Sequence, residues 1–215
     1  MEDFPVLSKE QIDALKEVGT IGAGHAANAL SQMVDKKIMI SVPEVKAIPL
    51  KETVELAGPP ESLVAAIYMK LMGDARGTAL LIFPRESAFT LVDILMKRPA
   101  GQTKFLKEID HSALKEVGNI LAGAFLTALM EFLNISLIPS VPLIAYDMAG
   151  AILEALAIEF GEDADYIFCI QTEFIDPTLN MGGNFILVFD RQPLAIIIEK
   201  IEKKIEEMTT NKNKI

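Results

Sequence analysis

Ser112, Glu116 and Asn119 stand at i, i+4 and i+7, a spacing that sets all three on one stripe of a helix, and Pro142 follows 23 residues after Asn119. A carboxylate and a carboxamide one turn apart can grip a partner and orient a water molecule. Those two tasks suffice for in-line hydrolysis of a phosphoryl group on a target that already carries its own metal, because positioning and electrostatics dominate that reaction. The same spacing occurs earlier as Asp13, Glu17, Thr20 and Pro43. There a threonine replaces the carboxamide, and its short hydroxyl side chain neither reaches as far nor presents a paired donor and acceptor. The set in the second half is therefore the expected working site. Asp13, Glu17 and Thr20 are expected to form a degenerate one, weak or silent in catalysis, with Asp13 and Glu17 available for docking.

The elements that must position these residues are written twice. Lys16-Glu17-Val18-Gly19-Thr20-Ile21-Gly22-Ala23-Gly24 returns 99 residues later as Lys115-Glu116-Val117-Gly118-Asn119-Ile120-Leu121-Ala122-Gly123, and Ser41-Val42-Pro43 returns at the same offset as Ser140-Val141-Pro142. Downstream, the stretch from Gly77 to Phe83 is echoed between Gly183 and Phe189. Ser8-Lys9-Glu10-Gln11 fits a capping box, and Asp110 is the matching N-cap candidate in the second half. At 100° per residue Ile12, Leu15, Val18, Gly19, Gly22 and Ala26 face the core, as do Leu114, Val117, Gly118, Leu121 and Phe125. Asp13, Glu17, Thr20 and Gly24, and likewise Ser112, Glu116, Asn119 and Gly123, face outward. The two glycines keep that stripe low enough for a partner backbone to approach.

Extended segments follow each helix at 37–42 and 135–141, each closed by a proline that cannot donate to a sheet ladder. Further strands are expected at 63–70, 78–83, 166–172 and 184–189, with turns at Gly73-Asp74 and Gly182-Gly183 and short helices at 86–96 and 193–201. An extra segment, 142–160, has helical composition and no counterpart in the first half. The expected fold class is α/β (α+β), with helices packed on a continuous, mainly antiparallel sheet and a pseudo-twofold internal repeat. Neither half can bury its sheet alone, so 8–105 and 106–205 are expected to form one intertwined domain, with 206–215 as a disordered tail.

Bulk properties narrow the function. The 215 residues are 51% hydrophobic, ample for a core, and the formal net charge of −10 repels a polyanion, which argues against nucleic acid as a partner. No uninterrupted apolar run reaches the length of a membrane span, since Glu131 breaks the longest, and the start Met1-Glu2-Asp3-Phe4 is acidic where a secretory signal is basic. A cytoplasmic protein without membrane insertion is expected. Cys169, in an apolar stretch, reads as a core residue, and His25 and His111 lack a second ligand at metal spacing, so no metal site is expected. Gly22-Ala23-Gly24 follows a capped helix rather than a strand, which removes it as a dinucleotide loop.

The pattern Asp/Ser, three residues, Glu, two residues, Asn, 22 residues, Pro resembles the signature of the CheC family (with its CheX and FliY relatives), phosphatases of the phosphorylated chemotaxis response regulator CheY. Both halves match in spacing. The resemblance implies that Asn119 enters the regulator's site and aligns the attacking water while Glu116 pairs with the regulator's active-site lysine. Ser112, Pro142 and Pro43 would support the helices and their surroundings. It implies no cofactor of the chain's own, the magnesium belonging to the regulator. CheC proteins also pair with the deamidase CheD, and the resemblance places that surface near Asp147. The alternative it leaves is a non-catalytic binding module that docks CheD or the flagellar switch. Retention of the whole Ser112, Glu116, Asn119 set favours the enzyme.

Overall fold

In the computed structural model, residues 7–42, 44–49, 58–160, 166–176, 179–189 and 191–212 are described. In order they form α1 (Lys9–Val34), β1 (Met39–Ser41), β2 (Val45–Pro49), β3 (Leu63–Gly73), β4 (Gly77–Pro84), α2 (Arg85–Leu95) and α3 (Glu108–Leu133). Then come β5 (Leu137–Pro139), β6 (Leu143–Met148), α4 (Ala149–Phe160), β7 (Tyr166–Asp176), β8 (Leu179–Phe189) and α5 (Arg191–Lys212). All eight strands join one sheet whose pairings are antiparallel throughout, as the α/β (α+β) reading required.

The topology exchanges strands between the halves. β1 and β2 follow α1 but pair with β7, whereas β5 and β6 follow α3 but pair with β3. The β4–β8 pair, from Gly77 opposite Phe189 to Ile82 opposite Asn184, lies between them. Register carries the same symmetry. Leu71 faces Pro139 and Tyr68 faces Leu143, so two residues of β3 oppose three of the β5–β6 connection. The pairing of β1 and β2 with β7 steps identically, from Ser41 opposite Glu173 to Val45 opposite Ile170. Such a step re-aims the chain out of the sheet plane, here beside each long helix.

Those helices lie against each other and against one face of the sheet. α1 starts on a full capping box, the Gln11 N–H donating to Ser8 Oγ at 3.2 Å and the Ser8 N–H to Gln11 Oε1 at 2.6 Å. α1 and α3 end on residues in the left-handed region at equivalent positions, Asp35 (φ 53°) and Asn134 (φ 51°). Their contact depends on Gly22, where a Cβ would fall 2.9 Å from the Phe125 Cα, so only glycine permits that approach. Gly118 rests on Ile67 and Gly19 on Ile170, equivalent isoleucines of β3 and β7. The Phe125 ring stacks on Phe185 with centroids 5.0 Å apart, joining α3 to β8. α4 covers the opposite face of the sheet over Val64, Ala66, Leu80, Ile82, Ile186 and Val188. By length and composition α3 could cross a membrane, yet half of that stretch is buried inside the protein.

Several local expectations change. Asp110 is not the N-cap of α3 but its third residue, after Lys107 at the cap. Its buried carboxylate accepts from the Lys107 N–H at 2.9 Å and from Arg98 Nη2 at 2.7 Å. The segment 142–160 is not one helix: 143–148 pairs along β3 as β6, because Leu143, Ala145 and Asp147 alternate with Ile144 and Tyr146, which pack on the main core. Gly182-Gly183 is not a turn. Both lie inside β8, where a Cβ on Gly183 would sit 2.8 Å from the Phe83 ring, so Gly183 is there for close packing. α5 continues to Lys212, so the part of 206–215 within the described residues is helical rather than a tail. β2, absent from the sequence reading, extends the pairing along β7.

Candidate functional site

Ser112, Glu116 and Asn119 are exposed on the same stripe of α3, and their side chains open into a cleft of about 520 Å³. Its floor is that stripe with Lys115, and its wall is Pro139, Ser140, Val141 and Pro142. The wall stands where it does because Ser140 is fastened to β3 from both sides. Its N–H donates to the Lys70 carbonyl at 2.8 Å, and its hydroxyl accepts from the Lys70 N–H at 3.0 Å. The extra residue of the connection is thereby pushed outward, leaving Val141 82% exposed at the rim. Pro142 thus borders the cleft, which gives a physical reason for its fixed distance from Asn119.

The Ser112 hydroxyl turns back and donates to the Glu108 carbonyl at 3.2 Å, so it serves the helix. Glu116 and Asn119 have no hydrogen-bond or ion-pair partner among the described residues, and their acid and amide groups are left for an external molecule. Gly123, one turn beyond Asn119, has nothing within 4 Å of where a Cβ would stand, and the same holds for Gly24 on α1. The fold does not require glycine at either position. Ile109, 55% exposed, begins the same stripe and adds apolar surface suited to a protein partner.

The first-half residues are brought together as well, since Asp13, Glu17 and Thr20 are exposed on one stripe of α1. Their chemistry differs. The Thr20 hydroxyl donates to the Lys16 carbonyl at 2.8 Å, which spends its donor on its own helix. Val42, equivalent to Val141, is buried at 6% exposure and lies 3.4 Å from the Cβ position of Gly19, so at this point the chain packs inward where its counterpart stands open. Pro43 and the side chain of Cys169 lie outside the described residues. Asp147 is exposed on β6, where its carboxylate accepts from the Met148 N–H at 2.8 Å. His25 is exposed and His111 partly buried; among the described residues no three His, Cys, Asp or Glu side chains gather to hold a metal ion. Lys115 and the wall residues Pro139 to Val141 escaped sequence reasoning as site residues, although the repeated Ser-Val-Pro marked part of that wall.

A model of the CheC-like family matches residues 10–47 and 109–146, the two segments that hold the stripes and the chain following each helix. Over 179 residues the chain is 37% identical to the CheY-P phosphatase CheC of Bacillus subtilis, covering 82% of this chain and 85% of that one. The chain belongs to the CheC-like family. The flagellar motor switch phosphatase FliY of Bacillus subtilis is 31% identical over 124 residues, 57% of this chain and 32% of that protein. Among solved structures, FliY of Thermotoga maritima superposes with a TM-score of 0.76 over 93% of this chain and 100% of that one at 22% identity, which shows a shared fold. Membership explains why the two matched segments coincide with the two helix stripes.

Proposed function

We propose that this chain hydrolyses the aspartyl phosphate of a CheY-type response regulator, with Asn119 orienting the attacking water and Glu116 docking to the regulator's lysine. The observation that carries this reading is the pair of exposed groups on one turn of α3, without partners among the described residues, beside an open cleft in a relative of a CheY-P phosphatase. A rigid helix holds the amide where it can enter a shallow site, and only the partner supplies metal and phosphoryl group. The proposal makes this a cytoplasmic enzyme, with its magnesium on the regulator. The decisive assay is decay of phosphorylated regulator with magnesium, with and without the protein. No acceleration by the wild-type chain defeats the reading and leaves the non-catalytic module.

Glu116→Ala removes one side of a charge pair at the docking surface. The regulator concentration at half-maximal rate should rise about tenfold or more, while the rate at saturation changes less. A fall in saturating rate with unchanged half-saturation would assign Glu116 to the chemical step instead.

The same proposal places CheD at the exposed surface where β6 meets α4. Asp147 and Met148 (47% exposed) combine a carboxylate with apolar contact area there. Asp147→Lys should weaken capture of CheD about tenfold in a titrated pull-down without altering regulator dephosphorylation. Unchanged capture removes Asp147 from this surface.

A further inference from the structure

Lys115 stands next to Glu116 and lines the same cleft, the one cationic side chain among its lining residues. It is partly buried, and among the described residues its ammonium has no ion-pair or hydrogen-bond partner. A long cationic side chain held beside a cleft without a local counter-ion is available to an acid from outside. The visiting surface is acidic on chemical grounds: a phosphorylated aspartate with its metal-binding carboxylates concentrates negative charge. This chain carries a formal net charge of −10, so the two proteins repel at long range unless the contact itself holds positive charge.

We propose that Lys115 is a positioning residue that pairs with a carboxylate at the rim of the regulator's phosphorylation site, forming with Glu116 a crossed set of opposite charges that fixes the orientation of docking. The inference rests on the proposed function. Neighbouring positive and negative groups on one helix can satisfy an inverse pair on the partner in a single orientation. The two side chains differ mainly by about 100° around the helix, so turning the helix in the contact or reversing its direction would set like charges together, and the pair selects orientation as well as adding attraction. Asn119, one turn from Lys115, is then delivered to one place in the partner site.

Lys16 supplies an internal control, since it is the equivalent lysine of α1, exposed on the surface that carries the degenerate site. The experiment is titration of the wild-type chain, Lys115→Met, Lys115→Arg, Lys115→Glu and Lys16→Met with regulator held in its active form by beryllofluoride and magnesium, in low and high salt. Dephosphorylation kinetics are followed in parallel. Lys115→Met should weaken binding about fivefold at low salt and raise KM equally, with kcat within about twofold of wild type. Lys115→Glu should weaken it further, Lys115→Arg should restore most of it, and Lys16→Met should do neither. The effect should shrink at high salt, as it must for a charge pair near solvent.

Unchanged binding by Lys115→Met and Lys115→Glu in a chain that dephosphorylates the regulator overturns this inference alone. Equal losses in Lys115→Met and Lys16→Met also overturn it, because the effect would then be one of net charge. Wild-type binding without hydrolysis, weakened by Lys115→Met and not by Lys16→Met, upholds the contact and defeats the phosphatase reading. A wild-type chain that does neither defeats both.

Discussion

Asn119→Ala is expected to lower the rate of regulator dephosphorylation by about 100-fold or more, the loss typical when one positioned polar group is taken from a hydrolytic centre. The carboxamide is the one group on the α3 stripe whose donor and acceptor are both uncommitted among the described residues. Ser112 cannot replace it, because its hydroxyl is bonded within the helix at Glu108. The α1 stripe cannot either: Thr20 donates to Lys16, and Val42 is buried where Val141 forms a rim. Thr20→Ala should accordingly leave the rate within about twofold. Asn119 is exposed and has no partner among the described residues, so its removal should shift unfolding free energy by less than about 0.5 kcal/mol. Single-turnover decay of phosphorylated regulator, with chemical denaturation of the same samples, reads both numbers. Most of the activity surviving Asn119→Ala, with a large loss in Thr20→Ala, would reverse the assignment of the two sites.

What was legible in the sequence was what repeats or alternates. The doubled Lys-Glu-Val-Gly motif marks both long helices, and helical spacing sets Glu116 and Asn119 on the solvent side. Strand partners were a different matter. Nothing in the stretch 37–49 says that β1 and β2 will leave their own half and lie along β7, because that pairing is set by tertiary contacts and not by the local sequence. The strand within 142–160 is hidden by helical composition for a related reason. Leu143 to Met148 is a short apolar run whose fate is decided by pairing with β3 rather than by propensity. Gly182-Gly183 looked like a turn because paired glycines usually are, whereas Gly183 lets Phe83 sit against the strand. The cleft wall is also tertiary in origin, since Ser140 is fixed by Lys70, some 70 residues away. Lys115 was invisible as a site residue because a helical lysine is ordinarily a solvated one, and only the wall beside it makes it part of a cleft.

The same reasoning gives Asp110 a larger role than a cap. Its carboxylate is fully buried and bridges the Lys107 N–H and Arg98, whose side chain is 22% exposed. Arg98 Nη1 donates to Thr103 Oγ1 at 3.0 Å, and Thr103 Oγ1 donates to Asp93 Oδ1 at 2.6 Å. Asp93 also accepts from the Gln102 and Thr103 N–H groups, each at 3.0 Å. This chain of bonds ties the end of α2 to the start of α3, two residues before Ser112. Asp110→Ala leaves the guanidinium without its carboxylate and the Lys107 N–H without its acceptor. The expected loss is about 3 kcal/mol at neutral pH, the lower end for a broken buried pair because Arg98 can still reach water. Arg98→Met combined with Asp110→Leu should cost less than the two single changes added together, since no orphaned charge remains. Burial opposes ionisation of Asp110, but the Arg98 and Lys107 hydrogen bonds and charges outweigh it and hold its pKa below the usual carboxylate value. A group whose pKa is lower folded than unfolded contributes fully above the unfolded value, about 4, and loses that contribution as pH falls through the folded one. The stability gap between wild type and Asp110→Ala should therefore be constant near neutrality and close below about pH 4. Urea unfolding of both proteins across that range measures it. A gap under about 0.5 kcal/mol at pH 7, the scale of an ordinary surface substitution, would mean that α3 is anchored by its packing on α1 and the sheet and not by this network.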